Sequence, residues 1–138
     1  MDNNLILEKL NNAPPGISEN LDALKSKRMG GVLTNYIPSV DEVASLIKSI
    51  PKGQTRTIQD LRCELAKLHN TDTACPAKVL KYWKWMANLS DEIKEVHRKY
   101  DIPWWRVLKD GKLSRHMPGG IAAHKSLLQS EGVLFDKK

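Results

Sequence analysis

At 138 residues, 41% hydrophobic and 28% charged, the chain has the size and balance of one globular domain with a real core. No apolar run approaches the length of a membrane span, so a membrane partner is not expected, and the polar, acidic start is wrong for a secretory signal. Two cysteines, Cys63 and Cys75, make no disulfide framework, which implies a reducing, cytoplasmic setting. The formal net charge of +6 is uneven: residues 1–70 hold nine basic and eight acidic side chains, and residues 71–138 hold thirteen and eight. A surplus gathered in one half hints at a polyanionic partner.

Residues 1–38 read as an N-terminal extension or flap, with residues 39–138 as the main domain. Leu5, Ile6, Leu7 and Leu10 suit one short helix, which Asn11-Asn12-Ala13-Pro14-Pro15-Gly16 breaks. Leu21 and Leu24 suggest another helical turn before Gly30-Gly31. Ser39-Val40-Asp41-Glu42 has capping-box form, and Val43, Leu46, Ile47 and Ile50 recur behind it at helical spacing. Pro51-Lys52-Gly53 ends that helix. Thr57-Ile58-Gln59-Asp60 opens a second, with Leu61, Leu65 and Leu68 on one side. A polar turn follows, and Pro76 suits the first turn of a third helix reaching about Asn88.

On that third helix Val79, Leu80, Trp83, Met86 and Ala87 share one side, and Lys78, Lys81 and Lys84 share the other. Trp85 falls among the lysines. Two readings follow: a solvated lysine face whose tryptophan is covered by the N-terminal arm, or a nucleic-acid surface with cations for phosphates and a ring for stacking. Residues 89–101 are mostly charged, with Ile93 and Val96 as sparse anchors, and read as a surface helix. Residues 102–108 suggest a buried strand or strand-like loop; on a strand Trp104 and Trp105 would point to opposite sides. Lys109-Asp110-Gly111-Lys112 is an Asp-Gly turn. Residues 121–130 read as a last helix, closed by Glu131-Gly132, with a short tail from Val133. The fold class is therefore mainly α with minor β, of helix-turn-helix or winged-helix pattern.

Residues 50–132 resemble the DNA-binding domain of alkylguanine–DNA alkyltransferases. Three pieces carry the resemblance, in the family's order: Ile50-Pro51-Lys52-Gly53 with Thr57 and Gln59, then Ile102-Pro103-Trp104-Trp105-Arg106-Val107, then Gly119-Gly120 with Lys125, Leu127-Leu128 and Glu131-Gly132. The family's acceptor cysteine falls on Trp104 and its activating histidine on Trp105, so neither nucleophile nor base remains. This is similar to alkyltransferase-like proteins, which carry tryptophan for the cysteine and bind alkylated guanine without repairing it. The resemblance implies a non-enzymatic protein that binds double-stranded DNA in the minor groove, flags lesions for repair proteins and needs no cofactor.

On the nucleic-acid reading Lys78, Lys81, Lys84 and Trp85 of the helix face contact DNA, and the resemblance adds Thr57 and Gln59. By the same resemblance, Trp104, Trp105, Arg106, Met117, Gly119, Gly120 and Asn88 surround a lesion pocket, with Arg106 tying its segment to neighbouring backbone. Glu131, which has no relay to serve, is left with helix-end hydrogen bonding. Other positions depart from the family. Its nucleotide-rotating tyrosine falls on Ile58, and its base-replacing arginine has only Lys78 as a counterpart. The tyrosine and serine of its closing loop fall on Met117 and Pro118, and residues 88–103 are longer than the family's link.

No histidine or cysteine spacing suggests a metal site. Cys75, at a helix start, is the one thiol worth suspecting, and Cys63 reads as packing. A monomer is expected. Two further readings stand beside lesion recognition. One is a protein-interaction module on a decayed helix-turn-helix scaffold, and the other is a winged-helix DNA binder with no lesion preference.

Overall fold

The computed structural model describes residues 3–28 and 30–133; the tail expected after Val133 lies outside them. It is about 54% helical, with a small mixed sheet, so the chain is mainly α with minor β. In order, the elements are α1 (Asn3–Asn11), β1 (Ile17–Asn20), α2 (Ala23–Arg28), β2 (Thr34–Ile37), α3 (Val40–Lys48), β3 (Arg56–Thr57) and α4 (Ile58–His69). There follow β4 (Thr73–Ala74), α5 (Pro76–Ala87), α6 (Asp91–Val96), β5 (Val107–Leu108) and α7 (Gly120–Ser130).

Local chemistry sets the helix starts. Ser39 caps α3 by accepting from the Glu42 N–H while the Glu42 carboxylate accepts from the Ser39 N–H. Thr57 and Asp60 make the same reciprocal pair at α4. Helix α4 stops at Asn70, whose left-handed conformation (φ 53°) suits a short polar side chain. Pro76 sits in the first turn of α5. Between the helices, Arg62 donates to the Ala74 carbonyl at 2.8 Å and to Thr73 Oγ1 at 3.0 Å, so the turn is held from α4.

Helix α5 is the centre of the molecule, packed against α1, α3, α4 and the short 3-10 turn Trp104–Arg106. Its buried residues are Val79, Tyr82, Trp83, Met86 and Ala87, whereas Leu80 is only half-buried. Tyr82 was not expected in the core. With neighbours on several sides, the buried arc is wider than one amphipathic stripe. Trp83 is fully enclosed, and burial of one large apolar side chain stabilises the fold by roughly 2–3 kcal/mol.

The N-terminal segment lies on the same core. Ile6 and Leu10 of α1 and Tyr36 of β2 join the cluster that contains Trp83 and Met86. Strand β2 pairs antiparallel with β1 and parallel with β4 (Asn35↔Thr73, Tyr36↔Ala74). The Tyr36 hydroxyl donates to Glu42 Oε1 at 2.5 Å, and His69 Nε2 lies 2.6 Å from Glu42 Oε2. The Tyr36 and His69 rings stack at 3.5 Å. Gly16 presses its backbone so closely on the Tyr36 hydroxyl that any side chain there would overlap it. Burial, with the hydrogen bond to Glu42 second, pushes the Tyr36 phenol up to about 12.

Three expectations fail or narrow in and after α4. Of strand and strand-like loop, the segment 102–108 is nearer the loop: Trp104–Arg106 forms a 3-10 turn, and only Val107–Leu108 pairs, parallel to Arg56–Thr57. Trp104 N donates to the Ile102 carbonyl and Arg106 N to the Pro103 carbonyl, bonds that coil the segment locally. In α6, Ile93 packs against the core as expected, but Val96 is 77% exposed and Lys94 is buried instead. The Lys94 ammonium donates to the Ala87 carbonyl at 3.0 Å, closing the negative end of α5. Burial, offset by Asp101 and Asp91, lowers its pKa. Cys63, expected as packing, is exposed.

Candidate nucleic-acid interface

Residues 77, 81, 84 and 88 fall within about 60° of one another around α5 and form its open stripe. Ala77, Lys81 and Asn88 are exposed and Lys84 is half-buried. Lys78 does not belong to this stripe. It is half-buried, with its ammonium 5.9 Å from the centre of the Tyr82 ring. Trp85 is half-buried against the core, with Lys81 Nζ 5.4 Å and Lys9 Nζ 5.6 Å from its ring. Helix α1 therefore covers the tryptophan and also brings a further cation beside the stripe.

The segment after β5 runs along the other flank. Lys109 and Lys112 exchange backbone hydrogen bonds of 3.1 and 2.9 Å across Asp110 (φ 53°) and Gly111 (φ 73°), as expected of an Asp-Gly turn. Lys109 lines a cleft of about 200 Å³ together with Gln59, Arg62, Ala77 and Leu80. Further on, Asn88 Nδ2 donates to the carbonyls of Lys84 (2.9 Å) and His116 (3.1 Å), stitching the end of α5 to this segment. Exposed His116 has its pKa lowered, chiefly by Lys84, then by desolvation, Arg115 and Lys109. Cations from α5, the turn and residue 115 thus converge on one surface. Among the described residues only His69–Glu42 and Arg106–Glu131 form ion pairs, and both lie elsewhere.

Of the other residues expected at DNA, Thr57 is half-buried and its hydroxyl oxygen caps α4. Gln59 is exposed and accepts from Arg62 at 3.0 Å. Lys109, Arg115, His116 and Lys9 were not named as DNA contacts from the sequence. For Lys109 and Arg115 the one signal there was the basic surplus of residues 71–138; Lys9 and His116 had none.

Of the residues expected around a lesion pocket, Trp104 and Met117 are buried in the core cluster. Trp104 is 5% exposed and Met117 is 3% exposed. Trp104 sets its ring edge-on to Trp105 (5.7 Å) and His124 (5.4 Å), and its carbonyl accepts from Trp83 Nε1 at 3.0 Å. His124 is fully buried. Its Nδ1 accepts from the Ser114 N–H at 3.3 Å, so Nε2 carries the proton and donates to the Trp105 carbonyl at 2.9 Å. Burial holds its pKa below the ordinary value. Gly119 has φ 80° and sits directly against the Ala123 side chain, and Gly120 has φ 74°; both shape the entry to α7.

Arg106 and Glu131 form a bidentate pair, with bonds of 3.0 and 2.7 Å, and Arg106 Nη1 donates to the Ile50 carbonyl at 2.8 Å. Glu131 therefore reaches across to Arg106 rather than back to its own helix end. Hydrogen bonding from Arg106, the largest cause, brings its carboxyl down to about 2. Trp105 is half-buried beside this pair, with the Arg106 guanidinium 5.8 Å from its ring. Its indole N–H faces the Glu131 carboxylate without reaching hydrogen-bond geometry.

Cys75 is the N-cap of α5, and its side chain makes no capping hydrogen bond. Among the described residues no three His, Cys, Asp or Glu side chains gather as a metal site, and no helix is long and apolar enough to cross a membrane. No family model, curated protein or solved structure matches the chain.

Proposed function

We propose that this is a non-catalytic protein that binds duplex DNA through the open stripe of α5 and the cations flanking it. The observation that carries the reading is the convergence of Lys81, Lys84, Lys109 and Arg115 without ion-pair partners. Unpaired cations along one helix suit a phosphate backbone, because each contact releases condensed counterions. The succession α4, turn, α5 and the Lys109–Lys112 hairpin supports the helix-turn-helix and winged-helix reading.

The resemblance to alkyltransferase-like proteins supports binding without chemistry, since an indole at Trp104 offers no thiolate. Extruding a base into a pocket needs open space. Buried Trp104 and Met117 favour binding with the bases left stacked, so plain and O-methylated duplexes should bind alike.

The test is a fluorescence titration, using Trp85 as the reporter, with duplexes that differ by one O-methylated guanine, at several salt concentrations. Affinity should fall steeply with salt. Replacing Lys81, Lys84 and Arg115 with Ala should weaken binding to both duplexes equally and reduce the salt slope by roughly one per lost phosphate contact. Tighter binding to the modified duplex would establish a lesion sensor instead. Absence of salt-sensitive binding would move the reading to the protein-interaction module.

A further inference from the structure

A second surface is left over once the DNA-binding reading has used α5. Helix α2 has no buried residue, yet it carries Lys25, Lys27 and Arg28 within six residues. Six residues are too few for a helix to be stable alone in water. Beside the cations stand two apolar side chains in solvent, Leu24 (60% exposed) and Leu33 (65%). The nearby Asp22 is already used, accepting from the Lys25 N–H at 2.8 Å. The root of the excursion is fixed, because Asp72 Oδ2 accepts from the N–H groups of Leu33 (2.9 Å) and Thr34 (3.2 Å). A firmly rooted arm with basic and apolar chemistry therefore carries an α2 that buries none of its residues.

The complementary chemistry lies between α3 and α4. A groove of about 420 Å³ runs there, floored by Leu46 and Leu65, walled by Leu68 and rimmed by Asp41 and Glu64. Leu68 is 67% exposed. Asp41 and Glu64 are exposed and in no ion pair. Glu42, the third carboxylate, is taken up by Tyr36 and His69. The arm cannot be separated far from this groove in one molecule. Asp72 follows His69, the last residue of α4, by three positions, and Leu68 immediately precedes it. Basic-apolar and acidic-apolar halves thus lie at one corner, the C-terminal end of α4. A patch of that kind is self-complementary, because a two-fold rotation brings each half onto its opposite in the other copy and closes the contact.

We infer that the chain forms a two-fold dimer in which α2 and Leu33 of each copy dock in the α3–α4 groove of the other. Leu24 and Leu33 meet Leu46 and Leu68, while Lys25 and Lys27 meet Asp41 and Glu64. The contact uses none of the residues of the α5 stripe.

Sedimentation analysis of the full chain tests this. The wild type should have twice the monomer mass at low salt and lose it at high salt. An arm variant (Lys25→Glu with Lys27→Glu) and a groove variant (Asp41→Lys with Glu64→Lys) should each be monomeric. An equimolar mixture of the two should regain the doubled mass, since each reversed half then meets its match. Leu68→Ala, which removes no core contact, should weaken the dimer without lowering the melting temperature. A monomeric wild type, reversal variants that stay dimeric, a mixture that stays monomeric, or masses growing beyond two would each overturn the proposal. So would an arm variant of unchanged mass that flattens the salt dependence of duplex binding, which would assign the arm to DNA.

Discussion

The Arg106 crossing and the α5 stripe both hold charge, and they use it in opposite ways. At the crossing, one guanidinium meets one carboxylate and one carbonyl, with side chains only 15% and 8% exposed. On the stripe and its flank, the lysines and an arginine form no ion pair among the described residues. The first arrangement joins Ile50, the 3-10 turn and the end of α7 into one body. The second adds no ion pair to that body and is free to meet an outside partner. Charge that is paired and enclosed here belongs to the fold, and charge left open is available for recognition.

The sharpest way to break the contrast is Arg106→Ala. It strands an enclosed carboxylate and the Ile50 carbonyl, and should cost about 3–5 kcal/mol in urea unfolding. A loss below about 1 kcal/mol would mean that the pair is only ornamental. Acid comes next. His124 is neutral in the fold and its folded pKa is depressed, so the unfolded chain takes up the proton first. Stability is then complete above the ordinary value of 6.5 and falls as the pH drops through the folded value. Glu131 adds a second loss as the pH falls from 4.5 towards about 2. His124→Asn should remove the first loss and leave the second, as read from denaturation midpoints across that range.

Thr57→Ala should cost about 1 kcal/mol, because one cap is lost while Asp60 remains. Replacing Lys81, Lys84 and Arg115 with Ala should move the unfolding midpoint least, within about 0.5 kcal/mol, while changing DNA affinity most. A large stability loss in that variant would erase the distinction between the two regions.

The parts of the fold readable from the sequence were those set by neighbours in the chain. Ser39 with Glu42, Thr57 with Asp60, Pro76 and Asp110-Gly111 each act within a few residues, and their elements stand where the spacing put them. What escaped notice depends on distant partners. Strands of two residues, such as Thr73–Ala74, carry no periodicity and exist because Tyr36 and Asn35 lie alongside. Tyr82 is enclosed because α5 has neighbours on several sides. Lys94 is buried because the Ala87 carbonyl waits for it. At the surface, the lysines of α5 were visible as a pattern, but Lys78 turns onto Tyr82, and the flanking Lys109, Arg115 and His116 come from another segment.

The bond from the Tyr100 hydroxyl to Asn11, made across 89 positions of the chain, bears on how the molecule is made. A ribosome releases α1 long before the residues that hold it exist. Until residue 100 has emerged, Ile6 and Leu10 have no finished surface to settle on, and β2 must wait for β4. The early product is thus an exposed apolar segment in search of late partners, the situation in which chains fold slowly and meet chaperones. A chain cut short after Asn88 would carry every residue of the open stripe and still lack the fastening that keeps α1 over Trp85.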